Sequence, residues 1–355
     1  MKFTLCSAIV VVLFCVVSAN VTIPLRSKRR LVEEYINTEY VGNIRLGTQS
    51  FEVVFDTSSY NVIVADETCI SGGCQCAGIA KYQVTKSTRL GPSNEVVNVR
   101  ILDTAHATGK EAHDNITIST LNAPEQGFVL ATDISSEICF LDADGVAGLG
   151  RPKSKRAAFN LPTVLETFVS RGEIEGVFSI YHARRPDGEY VGEIIFGGVF
   201  QRHYKGKLTY VPLIDSSTWN FKLDSLQVGN EVVVNNTRGF IDSSKSVIVG
   251  PTAEINKINE KLGCTKGLQG SSNICKFNCS EIESLPDVTL VIGGRHFNIS
   301  AEYHVQQQGS LCYSGFSPSD HATVFQIGDF FIDHFISVFD STKNRMGFAI
   351  STGSL

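Results

Sequence analysis

Short runs of alternating apolar and polar residues dominate the chain, and most of them end at Gly, Asn, Asp or Ser. A period of two is typical of strands that bury one face. Apolar residues recur at helical spacing in few places, most clearly after Pro162 in LPTVLETFVSRG. The pattern therefore predicts a mainly β protein with a few short helices. The clearest strand candidates are FEVVF (51–55), NITI (115–118), GEIIFGG (192–198), LTYVPL (208–213) and SVIVG (246–250).

One of these patterns occurs twice. The two copies are VFDTSSYNVIV and FIDSSKSVIVGP. In each copy, apolar residues precede an aspartate, which is followed by two hydroxyl residues and a second apolar run. The aspartates, Asp56 and Asp242, are 186 residues apart, and each is followed later by a glycine-centred apolar segment, DGVAGLG or VFQIGDFF. Chance explains four ordered segments poorly. We predict two similar lobes, residues 20–198 and 199–355, that form a cleft and contribute one carboxylate each.

The N-terminus has the features of a secretory signal peptide. Lys2 is followed by an apolar stretch and the small pair Ser18-Ala19, which predicts a signal peptide over residues 1–19. The stretch is short for a membrane anchor, and no later one approaches the length of a membrane span. We expect a secreted, extracellular protein without a membrane partner.

The cysteines and sequons agree with that compartment. Eight cysteines remain after the signal peptide, and an even number in a secreted chain predicts disulfides, although eight allow 105 pairings. Paired Cys or Cys/His spacings typical of zinc clusters are absent from the sequence. The net charge of −5 gives no reason to expect a nucleic-acid partner. Sequons predict glycans at Asn115, Asn235, Asn278 and Asn298.

Two carboxylates in one cleft support a definite chemistry. Neighbouring carboxylates resist double ionisation and share one proton at acid pH. The charged member can then act as a base on a bridging water while the protonated member polarises a peptide carbonyl. Such a pair cleaves peptides without a cofactor.

The chain resembles the pepsin-type aspartic proteases over nearly its whole mature length, with a bilobal fold and a central cleft. The resemblance rests on INTEYVGNIRLGTQSFEVVFDTSSYNVIV, FIDSSKSVIVGP, CSEIESLPDVTLVIGG and IGDFFIDHFISVFDSTKNRMGFA. Within that family it is most similar to cockroach allergens that keep the pepsin fold but lack good catalytic machinery. The resemblance implies disulfides Cys69–Cys74 and Cys279–Cys312, and we assign the remaining cysteines as Cys264–Cys275 and Cys76–Cys139.

By that resemblance Asp56 and Asp242 form the catalytic pair. Thr57 and Ser243 are then the hydroxyl residues that lock the two loops together, and Ser59 donates a hydrogen bond to the outer oxygen of Asp56.

Three positions depart from the family pattern at this pair. Ser58 and Ser244 replace glycines whose N–H groups approach the carboxylates, so each adds a side chain where the water must sit. We hypothesise that they displace the water or spread the carboxylates apart; a misplacement of about 1 Å can cost about a hundredfold in rate. Lys245 replaces a small hydroxyl residue beside Asp242. It either turns inward and favours ionised Asp242 or extends into solvent.

The predicted flap and prosegment also depart from the family. The flap tyrosine falls on Leu102, its tryptophan partner falls on Ile63, and the chain has no Tyr between Tyr82 and Tyr181. Only a short prosegment-like stub, residues 20–30, precedes the mature start. Its basic cluster, Arg26–Arg30, is alternatively a processing site or a solvated tail.

The resemblance also suggests a structural zinc site. Asp329 and Asp333 are spaced i, i+4 in a predicted short helix, and His182 matches one of two histidines that join these aspartates in the allergens. Tyr190 stands where the second histidine would be. Three protein ligands and a water can hold zinc, whereas a solvated acidic face is the simpler interpretation.

These observations leave three functions open. The first is a secreted protease homologue with absent or very weak peptidase activity, whose cleft binds an apolar or peptide-like ligand and which human antibodies meet as an allergen. The second is an active acid endopeptidase using Asp56 and Asp242. The third is a metal-stabilised structural or interaction protein.

Overall fold

The computed structural model describes ten segments of the chain: residues 20–32, 35–76, 78–86, 89–90, 95–101, 105–151, 161–184, 190–266, 275–308 and 310–353. The predicted signal peptide and Leu102 lie outside them. The described residues contain no helix long and apolar enough to cross a membrane.

Strands dominate the chain, which confirms the predicted mainly β class. The first half contains β1 (Val21–Val32), β2 (Tyr35–Leu46), β3 (Gln49–Asp56), β4 (Val62–Ala65), β5 (Arg89–Leu90), β6 (Val96–Ile101), β7 (Ala105–Ile118), β8 (Leu121–Ile134), β9 (Gly145–Gly148), β10 (Val177–Arg184) and β11 (Tyr190–Phe196). The second half contains β12 (Tyr204–Pro212), β13 (Phe221–Val228), β14 (Glu231–Ile241), β15 (Ile248–Pro251), β16 (Thr265–Lys266), β17 (Cys275–Asn278), β18 (Val288–Ile292), β19 (Arg295–Ile299), β20 (Val305–Gln308), β21 (Leu311–Ser314), β22 (Phe316–Ser319), β23 (Phe325–Ile327), β24 (Phe335–Asp340) and β25 (Arg345–Ser351).

The α-helices are short: α1 (Val164–Ser170), α2 (Thr252–Lys261), α3 (Ala301–His304) and α4 (Asp329–Ile332). Helix α1 forms where the sequence predicts it. Thr163 caps it by accepting a hydrogen bond from the Glu166 N–H, and the Glu166 side chain accepts one from the Thr163 N–H. This reciprocal capping box fixes the start of the helix.

One sheet joins the two halves of the chain. Its order is β12-β25-β24-β10-β11-β1-β2-β3-β9-β4-β8-β7-β5, and β6 pairs with β7. The link between the halves is the antiparallel pair of β10 and β24. The second half adds a seven-stranded sheet, β19-β18-β13-β14-β23-β15-β22, and a four-stranded sheet, β16-β17-β21-β20.

The prosegment-like stub is an internal strand of the shared sheet. Residues Val21–Arg26 of β1 pair with β11, and Arg26–Val32 pair with β2. Ile23 and Leu25 are buried in the core, whereas Arg26 and Lys28 form ion pairs with Glu52 on β3. The stub therefore contributes both backbone pairing and apolar burial to the sheet.

The two copies of the aspartate pattern in the sequence form similar structures. Strand β3 runs parallel to β9, with Asp56 in register with Gly148. Strand β14 runs parallel to β23, with Ile241 in register with Ile327. Each half thus ends a strand at an aspartate and pairs that strand with a parallel strand from a glycine-containing segment.

Four disulfides brace the described parts of the chain: Cys69–Cys74, Cys76–Cys139, Cys264–Cys275 and Cys279–Cys312. These are the four pairs expected from the sequence. The Cys76–Cys139 bridge closes the longest loop, with a separation of 63 residues. Disulfides are typical of proteins that fold in an oxidising compartment.

Candidate active site

Asp56 and Asp242 lie at the ends of strands, and neither side chain is exposed to solvent. Asp56 is the last residue of β3, and Asp242 directly follows β14. The residues just before each aspartate, 53–55 and 240–241, are apolar and largely buried, so each aspartate emerges where its strand leaves the core. The sequence had placed both residues in one cleft, and the structure brings their loops into direct contact.

The contact between the loops is a symmetric set of hydrogen bonds from Thr57 and Ser243. The Thr57 N–H donates to Ser243 Oγ at 3.1 Å, and the Ser243 N–H donates to Thr57 Oγ1 at 3.2 Å. The Thr57 hydroxyl donates to the Ile241 carbonyl and the Ser243 hydroxyl donates to the Phe55 carbonyl, both at 2.7 Å. Each hydroxyl therefore bonds to the backbone that leads into the opposite aspartate.

The Asp56 carboxylate accepts hydrogen bonds on both oxygens. Ser58 donates to Oδ1 twice, from its N–H and from its hydroxyl, each at 2.7 Å. The Ser59 hydroxyl donates to Oδ2. Ser58 thus keeps the backbone donor that a glycine would supply and adds a second donor to the same oxygen.

Among the described residues, the Asp242 carboxylate accepts hydrogen bonds on one oxygen only. Ser244 donates to Oδ1 from its N–H at 3.1 Å and from its hydroxyl at 2.7 Å. Oδ2 is buried and has no hydrogen-bond partner among the described residues. Lys245 stands where the first loop has Ser59, so the hydroxyl that would serve Oδ2 is missing.

Burial raises the pKa of both carboxyls. The pKa of Asp56 rises because of desolvation, opposed by the hydrogen bonds from Ser59 and Ser58. The pKa of Asp242 rises to about 7 because of desolvation and the nearby charge of Asp56. The ammonium of half-buried Lys245 lowers the pKa of both groups. Its charge therefore acts on the pair, as the inward alternative for this residue requires.

The serine hydroxyls act on the pair by occupying acceptor sites. A carboxylate oxygen offers about two lone-pair positions. Oδ1 of Asp56 and Oδ1 of Asp242 each already accept two hydrogen bonds from the following serine. A bridging water would have to compete with these donors for the same oxygens. This competition is a different effect from the displacement of the water that we hypothesised from the sequence.

The flap is a hairpin of β6 and β7, paired as far as Ile101 and Ala105. Leu102, the predicted replacement of the flap tyrosine, is outside the described residues. Ile63, the predicted replacement of its tryptophan partner, is buried in β4 and pairs with β8 and β9.

His182, Asp329 and Asp333 come together, with one ligand-type atom of each within 4.8 Å of the others. His182 Nδ1 lies 2.9 Å from Asp333 Oδ1 and 3.7 Å from Asp329 Oδ1. Tyr40 stacks on the His182 ring and donates to Asp333 Oδ1 at 3.1 Å. Burial, with the charges of Asp333, Glu39 and Asp242, raises the pKa of Asp329 well above its usual value.

This buried acidic cluster adjoins the second aspartate loop. The Asp329 N–H donates to the Lys245 carbonyl at 2.8 Å. Oδ1 of Asp329 is buried without a hydrogen-bond partner among the described residues. Sequence reasoning missed Glu39 and Tyr40, because no local pattern places β2 beside α4.

Ser246 is a further residue that the sequence did not identify. Its hydroxyl accepts from the Thr38 N–H at 2.7 Å and donates to the Thr38 carbonyl at 2.8 Å. It therefore ties the second aspartate loop to β2 of the first half. The recurrence of Ser in DSSKS is the available signal, but it does not reveal the partner.

The predicted glycan acceptors Asn115, Asn235, Asn278 and Asn298 are all exposed. Three of them use Oδ1 as an acceptor: Asn115 from the Glu125 N–H, Asn278 from the Ser280 N–H and hydroxyl, and Asn298 from the Thr289 hydroxyl.

Comparison with known proteins agrees with this architecture. Residues 39–351 match the family described as eukaryotic aspartyl protease. The chain is 46% identical to aspartic protease Bla g 2 of Blattella germanica, over 92% of each chain. It is 30% identical to embryonic pepsinogen of Gallus gallus over 90% of this chain and 83% of the relative, and 29% identical to cathepsin D of Clupea harengus over the same shares.

The resemblance therefore extends from the paired aspartates to residues 39–351. Aspartic proteases of this type hydrolyse peptides without a cofactor, because the two carboxyl groups supply both the acid and the base. The chain belongs to the pepsin-like family of eukaryotic aspartyl proteases.

Proposed function

We propose that this protein is a secreted aspartic-protease homologue with absent or very weak peptidase activity, whose cleft binds an apolar or peptide-like ligand. One observation carries the proposal: Ser58 and Ser244 saturate Oδ1 of both aspartates with hydroxyl and N–H donors. A nucleophilic water needs a carboxylate oxygen that accepts its proton, so the donors that already occupy Oδ1 of each aspartate reduce the general-base capacity of the pair.

The second loop adds to this effect. Asp242 Oδ2 lacks the hydroxyl donor that Asp56 Oδ2 receives, and Lys245 places a positive charge near both carboxyls. A nearby cation favours the ionised forms of both groups and opposes the state with one shared proton.

Digestion of denatured haemoglobin from about pH 3 to pH 6, with and without pepstatin, tests the proposal. We expect no pepstatin-sensitive turnover from the unaltered protein, and turnover from a variant carrying Ser58→Gly, Ser244→Gly and Leu102→Tyr. The matched control adds Asp56→Asn to that variant and should be inactive. Turnover of about 1 s⁻¹ or more by the unaltered protein, an ordinary enzyme rate, would refute the proposal.

An active acid endopeptidase is the second candidate. It is favoured by the complete burial of both aspartates, their raised pKa values and the intact hydrogen bonds between Thr57 and Ser243. On this alternative the serine hydroxyls rotate away when substrate enters. The same digestion separates the two candidates.

A metal-stabilised structural or interaction protein is the third candidate. His182, Asp329 and Asp333 would hold a structural zinc, and the buried Asp329 Oδ1, which has no hydrogen-bond partner among the described residues, supports this assignment. Zinc would have to replace the 2.9 Å contact between His182 and Asp333. Thermal unfolding with zinc and with a chelator tests it: His182→Ala should abolish any zinc-dependent rise in Tm.

Secretion, glycosylation and recognition by antibodies complete the proposal. Four disulfides support folding in the secretory pathway. Similarity to the cockroach protein supports testing the purified chain against sera of cockroach-allergic people, with sera of non-allergic people as the control. Absence of specific antibody binding would contradict the allergen assignment.

A further inference from the structure

A short segment, residues 148–151, lies against the loop that carries Asp56. Gly148 is in register with Asp56, the Leu149 N–H donates to the Asp56 carbonyl at 2.8 Å, and the Gly150 N–H donates to the Ser59 carbonyl at 2.8 Å. A Cβ on Gly148 would lie 2.5 Å from the carbonyl carbon of Tyr60. Segment and loop therefore move together.

Residues of the second half of the chain form hydrogen bonds with the other side of residues 148–151. The indole N–H of Trp219 donates to the Leu149 carbonyl at 2.9 Å. Arg151 donates from Nε to the Ser216 carbonyl at 3.0 Å and from Nη2 to Asn344 Oδ1 at 2.7 Å. Its guanidinium lies 5.0 Å from the centre of the Trp219 ring.

Both residues are deeply buried, with 5% of Arg151 and 3% of Trp219 exposed. Trp219 packs edge-on against Phe178 and Phe339, which fixes its ring. A buried guanidinium costs more free energy than an apolar side chain of similar size. Its retention here points to directional contacts that an apolar residue cannot make.

We propose that Arg151 and Trp219 are a positioning pair for Asp56, which sets where the first aspartate loop stands relative to the second half. Neither residue contacts the carboxylates. The effect passes through Leu149, whose carbonyl binds Trp219 and whose N–H binds the Asp56 backbone. Thr57 and Ser243 fix the inner side of the loop, and the Arg151–Trp219 pair fixes its outer side.

The pair also supplies its own reporter. Trp219 is the single tryptophan of the chain, so tryptophan emission comes from one site linked to Asp56 through one residue. Ligand entry or proton uptake at the aspartates should change that emission. A test that uses a ligand as the probe rests on the proposed function, whereas a test that uses proton uptake does not.

Pepstatin binding from about pH 3 to pH 6, measured by calorimetry and by Trp219 emission, tests the proposal. Arg151→Met should weaken pepstatin binding at least tenfold and shift its pH profile, because the distance between the aspartates changes. Arg171→Met is the matched control, since Arg171 is half-exposed and pairs only with neighbouring Glu173 among the described residues. A folded Arg151→Met variant with unaltered affinity and pH profile would overturn the proposal.

Two further measurements keep the outcome decisive. If the unaltered protein does not bind pepstatin, the ligand part of the proposed function fails, and the pair is tested by proton titration of Trp219 emission. That titration, followed to about pH 8, should lose its component near pH 7 in Asp242→Asn and shift in Arg151→Met; no shift in Arg151→Met would overturn the pair. If Arg151→Met does not fold, Arg151→Lys replaces it, because lysine keeps the charge but not the forked contacts.

Discussion

The two aspartate loops, residues 56–61 and 242–247, share a sequence pattern and a backbone arrangement but differ in how they treat their carboxylates. From the part of the chain that the structure describes, Asp56 accepts hydrogen bonds on both oxygens, whereas Asp242 accepts them on Oδ1 only. The difference traces to one position, which is Ser59 in the first loop and Lys245 in the second. A near-symmetric scaffold therefore carries an asymmetric pair, with the higher-pKa member left partly unsatisfied.

The surroundings of the loops differ as well. Behind Asp56 lie a buried arginine and a tryptophan, Arg151 and Trp219. Behind Asp242 lies a buried acidic cluster that includes Asp329, whose pKa the Asp242 charge helps to raise. The comparison teaches that loops with similar hydrogen bonds can be packed against side chains of opposite charge.

The largest expected effect comes from removing the charge of Asp242. Its pKa is 3.8 when unperturbed and about 7 in the folded protein. Between these values the folded state keeps a proton that the unfolded state has released, so stability falls as pH rises. We expect the free energy of unfolding to fall by on the order of 4 kcal/mol from this group across that range. Denaturant unfolding at about pH 4 and pH 7 measures it.

Asp242→Asn should reduce that pH dependence by the same amount, leaving the contributions of Asp56 and Asp329. Asp133→Asn, at an exposed aspartate, is the control and should leave the slope unchanged. An Asp242→Asn variant with the original slope would show that the second loop does not hold a proton.

The next effect comes from breaking the symmetric bond between the loops. Thr57→Val leaves the buried Ser243 N–H and Ile241 carbonyl without this partner. Each unsatisfied group costs about 1–3 kcal/mol, so we expect a loss of about 3 kcal/mol in denaturant unfolding. Thr117→Val, which removes an exposed 3.4 Å contact to Asn122, should cost far less. Equal losses of unfolding free energy in the two variants would argue against a special role for the hydrogen bonds between the loops.

A smaller change should make the first loop resemble the second. Ser59→Ala removes the hydroxyl donor to Asp56 Oδ2, so the pKa of Asp56 should rise. A hydrogen bond to a charged group contributes about 1.5 kcal/mol or more. NMR titration of labelled aspartate carboxyls measures the change. Ser217→Ala, next to exposed Asp215, is the control, and an unmoved Asp56 titration would contradict the assignment of this donor.

The smallest effect should follow Lys245→Met. Loss of the ammonium should raise the pKa of both aspartates, because its charge lowers both. Solvent screens a half-exposed lysine, so we expect less than about 1 kcal/mol on either group. Lys261→Met, at a solvent-exposed pair with Glu231, should change neither titration. A fall in either pKa after Lys245→Met would contradict this electrostatic role.

Local sequence patterns were sufficient to predict much of the fold. The period of two marked the strands, Pro162 and Thr163 marked the start of α1, and the repeated aspartate signature marked the two loops. These features depend on residues close in sequence, where side-chain periodicity and capping act directly. Family resemblance supplied the pairing of hydroxyls and cysteines, which periodicity alone does not contain.

The sequence by itself determined the strand pattern, the two aspartates and the hydroxyl residues beside them. Only the tertiary structure decided that both carboxylates are fully buried, that Asp242 Oδ2 has no hydrogen-bond partner among the described residues, and that Arg151 reaches Ser216 and Asn344. The physical reason is distance along the chain. Burial and the contacts between the two halves, and hence the pKa values, depend on segments far apart in sequence that meet only when the halves pack.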